Sequence, residues 1–201
     1  MDTASSENLT RIGPGRIILV VGPSGAGKDT LIRMVRERLA SETADCPQIV
    51  FPKRLVTRPA SDAEDNVELT NDAFAELAAR GEFVLAWQAH GFHYGVPQNI
   101  DEACAAGRTV VLNVSRSVIA IARARYAQVS VVYVDAPPEI RAQRLFARGR
   151  EDPTEVRDRL AKAQGVIASS DADVVIVNDG RPEDGANSLY RHIVIGAYEL
   201  P

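Results

Sequence analysis

The strongest chemical signal in the chain is one run of nine residues, Gly22-Pro23-Ser24-Gly25-Ala26-Gly27-Lys28-Asp29-Thr30. The spacing GxxxxGK suits a phosphate. Glycines let the backbone curl without Cβ clashes, several N–H groups converge on the anion, and the lysine reaches the outer phosphates. Ile17-Ile18-Leu19-Val20-Val21 precedes the run and reads as a buried strand. Leu31, Met34, Val35 and Leu39 recur at helical spacing after it. The loop therefore has the strand–loop–helix context that gives the motif meaning. One position departs from the usual pattern: Asp29 stands where Ser or Thr normally follows the lysine. Its carboxylate is either a hard oxygen ligand for Mg2+, direct or through water, or simply an acidic residue suited to a helix start. Thr30 is a second candidate metal ligand.

The elements that must position this loop alternate along the chain. Further apolar, β-branched runs predict strands at 49–56, 83–87, 109–114, 129–134 and 174–177. Amphipathic stretches predict helices at 29–41, 71–80, 97–106, 115–126, 138–148, 153–169 and 182–200. Continuous apolar strands between helices imply an α/β fold with a mostly parallel sheet covered on both faces. The 201 residues suit one domain, here 13–201, preceded by a flexible tail over 1–12. Hydrophobic residues make up 45% and charged residues 25%, which excludes a mainly disordered chain. A net charge of −4 argues against a protein built to coat nucleic acid. No apolar run approaches the roughly 20 residues that span a bilayer, and no secretory signal opens the chain. Cys46 and Cys104 stand apart, without metal-ligand spacing, and read as reduced thiols of a cytoplasmic protein.

Extended downstream, the motif resembles the guanylate kinase group of nucleoside-monophosphate-kinase-like proteins. Gly22 to Leu31 matches the start of that family. Thr57-Arg58-Pro59 resembles its acceptor-site TRP segment. Gly81-Glu82-Phe83 and His90-Gly91-Phe92-His93-Tyr94-Gly95 resemble its GEF and HGxxYG segments. Arg144-Leu145-x-x-Arg148-Gly149, with Arg159 further on, resembles its arginine-bearing lid, and Asn178-Asp179 its terminal VxND. The matches run in order from Arg16 to Asp179. The resemblance implies a P-loop NTPase-type three-layer fold with a mostly parallel central sheet, an acceptor-binding region at about 50–97 and a lid at about 144–160. It also implies ATP and Mg2+ as cofactors.

Departures from that group bear on the substrate. Ala60-Ser61-Asp62 follow the TRP segment, where a second arginine is usual. The glutamate that reads the guanine edge aligns with Gln88, its assisting Ser or Thr with Val96, and an acidic strand-end residue with Asn113 or Ser115. Neutral replacements remove charge-assisted recognition of guanine. The subset that resembles this pattern is the ribose 1,5-bisphosphate phosphokinases of bacterial phosphonate breakdown. Its marks here are Gly27 to Thr30, Thr57 to Ala60, Glu64-Asp65-Asn66, and Trp87 before the HGxxYG segment. That resemblance implies transfer of the ATP γ-phosphoryl group to ribose 1,5-bisphosphate, giving 5-phosphoribosyl 1-diphosphate. Guanylate kinase activity, a catalytically dead interaction domain and a kinase for another small phosphorylated metabolite are the alternatives.

Arg58 suits an acceptor phosphate because its guanidinium grips phosphate bidentately. Arg54, four residues earlier, lies near the same strand end. Tyr94 is either a donor to the acceptor phosphate or a core aromatic. Gln88 and His93 either meet ribose hydroxyls or are structural. Arg144, Arg148 and Arg159, with Lys28, are the expected catalytic charges; as a charge run alone they would be a solvated face. Asp135 resembles a Walker-B position. The expected partner is a small phosphorylated ribose, with no nucleic acid and no membrane, and a homodimer is compatible with the sequence.

Overall fold

In the computed structural model, residues 10–42, 49–59, 65–147 and 171–198 are described. The strands are β1 (Ile12–Val21), β2 (Ile49–Val50), β3 (Arg54–Val56), β4 (Asn66–Glu68), β5 (Phe83–Ala89), β6 (Phe92–Pro97), β7 (Thr109–Asn113), β8 (Tyr126–Asp135) and β9 (Val174–Val177). The helices are α1 (Lys28–Ser41), α2 (Asn71–Ala79), α3 (Asn99–Ala105), α4 (Ile119–Arg125), α5 (Pro138–Ala147) and α6 (Pro182–Tyr198). A short 3-10 helix, Arg116–Val118, leads into α4. The helix expected at 153–169 lies outside the described residues.

Five strands form a parallel sheet in the order β2-β7-β1-β8-β9. The side-chain period of two sends Ile17, Leu19 and Val21 to one face of β1 and Ile18 and Val20 to the other. The first face packs on α3 and α4 through Ile100, Cys104, Ile119 and Ala122. The second packs on α1 and α6 through Leu31, Val35, Leu189 and Ile193. Each residue from Ile17 to Val21 is thus buried whichever way it points, which explains the unbroken apolar run. Burial raises the Cys104 thiol to about 11, so it stays protonated and inert.

The second sheet, in the order β4-β3-β6-β5, was not anticipated. The strand expected at 49–56 is two strands in different sheets. Residues Ile49–Val50 pair with β7, and Arg54–Val56 pair with β4 and β6. Pro52, which has no N–H to donate, lies between them. β5 and β6 form a hairpin whose two-residue turn, His90-Gly91, has φ of 53° and 78°. Positive φ at both positions matches the right-handed twist of the flanking strands. One face of this hairpin, with Phe83 and His93, lies against Phe74 of α2. The other face joins the core of the parallel sheet through Leu85 and Val96.

Candidate active site

The loop after β1 occupies the C-terminal end of the central strand. Gly22 has φ 144°, and a Cβ there would lie 2.0 Å from the Val134 carbonyl oxygen. Gly27 has φ 95°, and its Cβ would meet Asn178 Nδ2 at 2.4 Å. Only glycine fits either place. α1 starts with no side-chain cap, so its first N–H groups face the loop as an anion cradle. Lys28 Nζ donates to the carbonyls of Gly22 and Pro23 at 2.8 and 3.0 Å, bringing its charge across the loop mouth. Pro23, Ser24, Gly25 and Ala26 complete the cradle, closed by Ala26 N–H donating to the Pro23 carbonyl. Asp29 and Thr30 fall in the first turn of α1.

Arg144 of α5 packs on this loop. Its Nη1 lies 3.4 and 3.3 Å from the Gly25 and Ala26 carbonyls, and its Nη2 donates to the Asn178 carbonyl at 3.0 Å. Asn178, 3% exposed, donates its amide to the Ala26 carbonyl at 2.8 Å. Two segments far apart in sequence thus hold the loop from one side. Arg148 and Arg159 lie outside the described residues. Arg141, which sequence reading did not single out, is 4% exposed and its backbone lies against Gly25. Its Nε is 4.0 Å from Asp135 Oδ1, which also accepts from the Ala136 N–H at 2.8 Å. Its spacing of three from Arg144 was the available signal.

The second sheet faces the loop. His90 Nε2, at the hairpin tip, is 3.4 Å from Ser24 Oγ. Thr57 N–H donates to the His93 carbonyl, and His93 N–H donates to Thr57 Oγ1, which fixes the turn carrying Arg58 beside the hairpin. Arg54 is 9% exposed. Its Nε donates to Asn66 Oδ1, its Nη1 to the Asn113 carbonyl and its Nη2 to Asp29 Oδ1, at 3.0, 3.1 and 3.2 Å. Tyr94, 7% exposed, stacks on Trp87 with ring centroids 5.3 Å apart. Its hydroxyl makes no hydrogen bond among the described residues.

Strand register sorts the acceptor candidates. Trp87 pairs with Tyr94 and Leu85 with Val96, so these four side chains share one face. Gln88 pairs with His93 and is exposed on the opposite face. The structure therefore brings Tyr94 and Val96 together but does not bring Gln88 to them. Leu85 and Trp87, not singled out as site residues, occupy the place beside Tyr94 instead. At the end of β7, Asn113 Nδ2 donates to Asp29 Oδ1 at 2.6 Å, and Ser115 Oγ accepts from Ser117 N–H and Oγ–H. Both strand-end groups are engaged within the chain.

A five-stranded parallel sheet with a phosphate loop on its central strand, and a mixed sheet facing that loop, define an α/β phosphotransferase of the P-loop class. The chain belongs to the guanylate kinase family, whose model matches residues 14–192. It is 49% identical over 189 residues to the ribose 1,5-bisphosphate phosphokinase PhnN of Rhodopseudomonas palustris, covering 94% of this chain and 93% of the relative. The PhnN of Methylobacterium radiotolerans is 49% identical over 180 residues, covering 90% and 98%. Among solved structures, a guanylate kinase from Anaplasma phagocytophilum superposes with a TM-score of 0.66 at 18% identity, covering 92% of this chain and 87% of that one. That likeness supports the fold.

Proposed function

We propose that the chain is an ATP-dependent ribose 1,5-bisphosphate phosphokinase that forms 5-phospho-α-D-ribose 1-diphosphate (PRPP) in phosphonate catabolism. The observation that carries this reading is the match to PhnN relatives, 49% identical over nine-tenths of the chain. The positions that would read a guanine edge offer it little: Val96 is buried in the core, and Asn113 and Ser115 are hydrogen-bonded within the chain. Each base group left without a partner would cost about 1–3 kcal/mol. A sugar bisphosphate has no base edge and avoids that cost.

In the reaction, an oxygen of the sugar 1-phosphate attacks the γ-phosphorus of ATP. The bond from that phosphorus to the β,γ-bridging oxygen breaks, and ADP leaves with the electron pair. The attacking oxygen is already ionised, so no general base is needed. Lys28 and the N–H groups of Gly25 to Lys28 hold the β- and γ-phosphates and take up charge as it shifts. Arg144, beside the same loop, adds positive charge. Arg148 and Arg159, from a lid at about 144–160, would close over the phosphates and exclude water. In the region at about 50–97, Arg58 and Tyr94 hold the 5-phosphate end. Arg54 is close by, and Gln88 on the outer face keeps at most a peripheral role.

The glycine cradle and the donor set at the start of α1 fit a nucleotide with its metal. Mg2+ would be carried mainly by phosphates and water, with Asp29 or Thr30 adding a protein oxygen. When bound, Mg2+ neutralises charge on the β- and γ-phosphates. Among the described residues no helix is long and apolar enough to cross a membrane, and a cytoplasmic setting suits the substrate. The direct test incubates the protein with ATP, Mg2+ and ribose 1,5-bisphosphate and identifies the product by phosphorus NMR. PRPP and ADP in equal amounts are expected; ADP without PRPP would overturn the reading.

A further inference from the structure

Two departures of the sequence meet in space. The family resemblance expects a hydroxyl after the loop lysine and an acidic residue at the end of β7, aligned with Asn113 or Ser115. This chain has a carboxylate at the first place, Asp29, and of the two strand-end candidates the amide, Asn113, is the one bonded to it. Their side chains are hydrogen-bonded at 2.6 Å. Arg54 completes the group from β3 of the other sheet. Its Nη2 donates to the same Asp29 oxygen at 3.2 Å and its Nη1 to the Asn113 backbone carbonyl at 3.1 Å. The Arg54 and Asp29 side chains are only 10% and 23% exposed, so their attraction is weakly screened. Asp29 Oδ1 thus takes two donors, while Oδ2 has no hydrogen-bond partner among the described residues.

We infer that Asp29 and Asn113 are a transposed carboxylate–amide pair, and that Arg54 is the positioning residue that fixes it. The pair keeps one negative charge at the phosphate site but moves it from the sheet side to the helix side of the contact. There it gains the positive end of α1 and lies next to Lys28 in sequence. Anchoring Oδ1 leaves Oδ2 for the divalent cation that accompanies a nucleoside triphosphate. A carboxylate beside a triphosphate needs that cation, so the arrangement makes nucleotide binding strongly dependent on it. Arg54 also links the acceptor sheet to the phosphate loop through the same oxygen. This role differs from direct contact with the acceptor phosphate, since Nε, Nη1 and Nη2 of Arg54 all have partners within the chain.

The inference rests on the phosphotransferase reading of the site, and its test uses readouts that need no acceptor. Asp29→Asn leaves Arg54 facing two amides. Asn113→Asp sets two carboxylates against each other. The exchange, Asp29→Asn with Asn113→Asp, restores one of each. Each single variant should lower the melting temperature of the ligand-free protein by roughly 3–8 °C. Each should weaken ATP binding in Mg2+, measured by calorimetry, by about tenfold. The exchanged protein should recover at least half of both losses, the signature of a coupled pair. Arg54→Lys keeps the charge but not the fork. It should raise the Mg2+ needed for half-maximal ATP binding and leave ATP binding in EDTA unchanged. Additive losses in the exchanged protein, or Asp29→Asn with unchanged melting and Mg2+ dependence, would overturn the inference. Failure of the acceptor assignment would instead show as no PRPP from the unaltered protein, with these couplings intact.

Discussion

At Lys28 the chemistry is set by what the amine can exchange. Among the described residues it donates to two neutral carbonyl acceptors. A triphosphate offers charged ones, and charge-assisted hydrogen bonds are about twice as strong. Lys28→Ala should leave a folded protein whose turnover is about 100- to 1000-fold lower. Near-normal turnover measured in a folded variant would remove the phosphate loop from the mechanism. Tyr94 offers a finer test, because its ring and its hydroxyl do different things. The ring stacks on Trp87 in the core, and the hydroxyl makes no hydrogen bond among the described residues. Tyr94→Phe should keep the melting temperature and raise the acceptor KM about tenfold or more, the loss of one hydrogen bond to a charged group. An unchanged KM would make Tyr94 a core aromatic only. The phosphate loop was legible in sequence because its residues are contiguous and flanked by clear periodicity. Gln88 was placed by alignment alone. Which face it occupies depends on register, and register is set by the two-residue turn at His90-Gly91. Arg54 showed its partners only once β3, α1 and β7 were packed together.

Elements carry the next set of consequences. α1 can begin at Lys28 because Gly27 turns the chain with φ 95° against Asn178. Gly27→Ala should lower the melting temperature by roughly 3–6 °C and abolish measurable ATP binding. Retention of both properties would show that the loop relaxes around a Cβ. On the opposite end of the sheet, His192 of α6 ties together β1 and β8. Its Nε2 lies 3.0 Å from Arg16 Nη2 and 2.8 Å from Ser130 Oγ. Burial, and then the Arg16 charge, hold the imidazole below its ordinary 6.5, with Asp173 opposing. The unfolded chain therefore takes up this proton first, and stability is lost as pH falls below about 6.5. His192→Gln cannot titrate. Between about pH 7.5 and about pH 5.5 its melting temperature should fall by a few degrees less than that of the unaltered protein. Parallel curves would exclude His192 as a source of the pH dependence. The strands of the parallel sheet were legible because both of their faces are apolar. The second sheet was not, because β3, β4 and β6 are short and mixed in polarity, with motif residues interrupting their alternation. Gly95 of β6 is an example: the Phe83 ring lies where its Cβ would be, at 2.5 Å. That packing accounts for a motif glycine without any ligand.

For the whole molecule, two sheets meet at one loop. The parallel sheet presents the phosphate loop at its C-terminal edge, the usual place for a ligand in such folds. The mixed sheet sets Arg54 and the Thr57–Arg58 turn opposite, and its hairpin tip reaches Ser24. On the proposed function, donor and acceptor phosphates would meet between the two sheets, and phosphoryl transfer needs little more than such alignment and charge. The acceptor would then be chosen by what the base-reading positions hold. Val96 is buried in the core and Asn113 and Ser115 are bonded within the chain, while Arg58 and Tyr94 would serve a phosphate. Two or three unpaired base groups at about 1–3 kcal/mol each translate into a few orders of magnitude in rate. The most direct measurement is a competition: ribose 1,5-bisphosphate and GMP at equal concentration, with ATP and Mg2+, and both products quantified. The expected result is a kcat/KM for ribose 1,5-bisphosphate at least about a hundredfold above that for GMP. Comparable phosphorylation of GMP would contradict the account and restore a guanylate kinase.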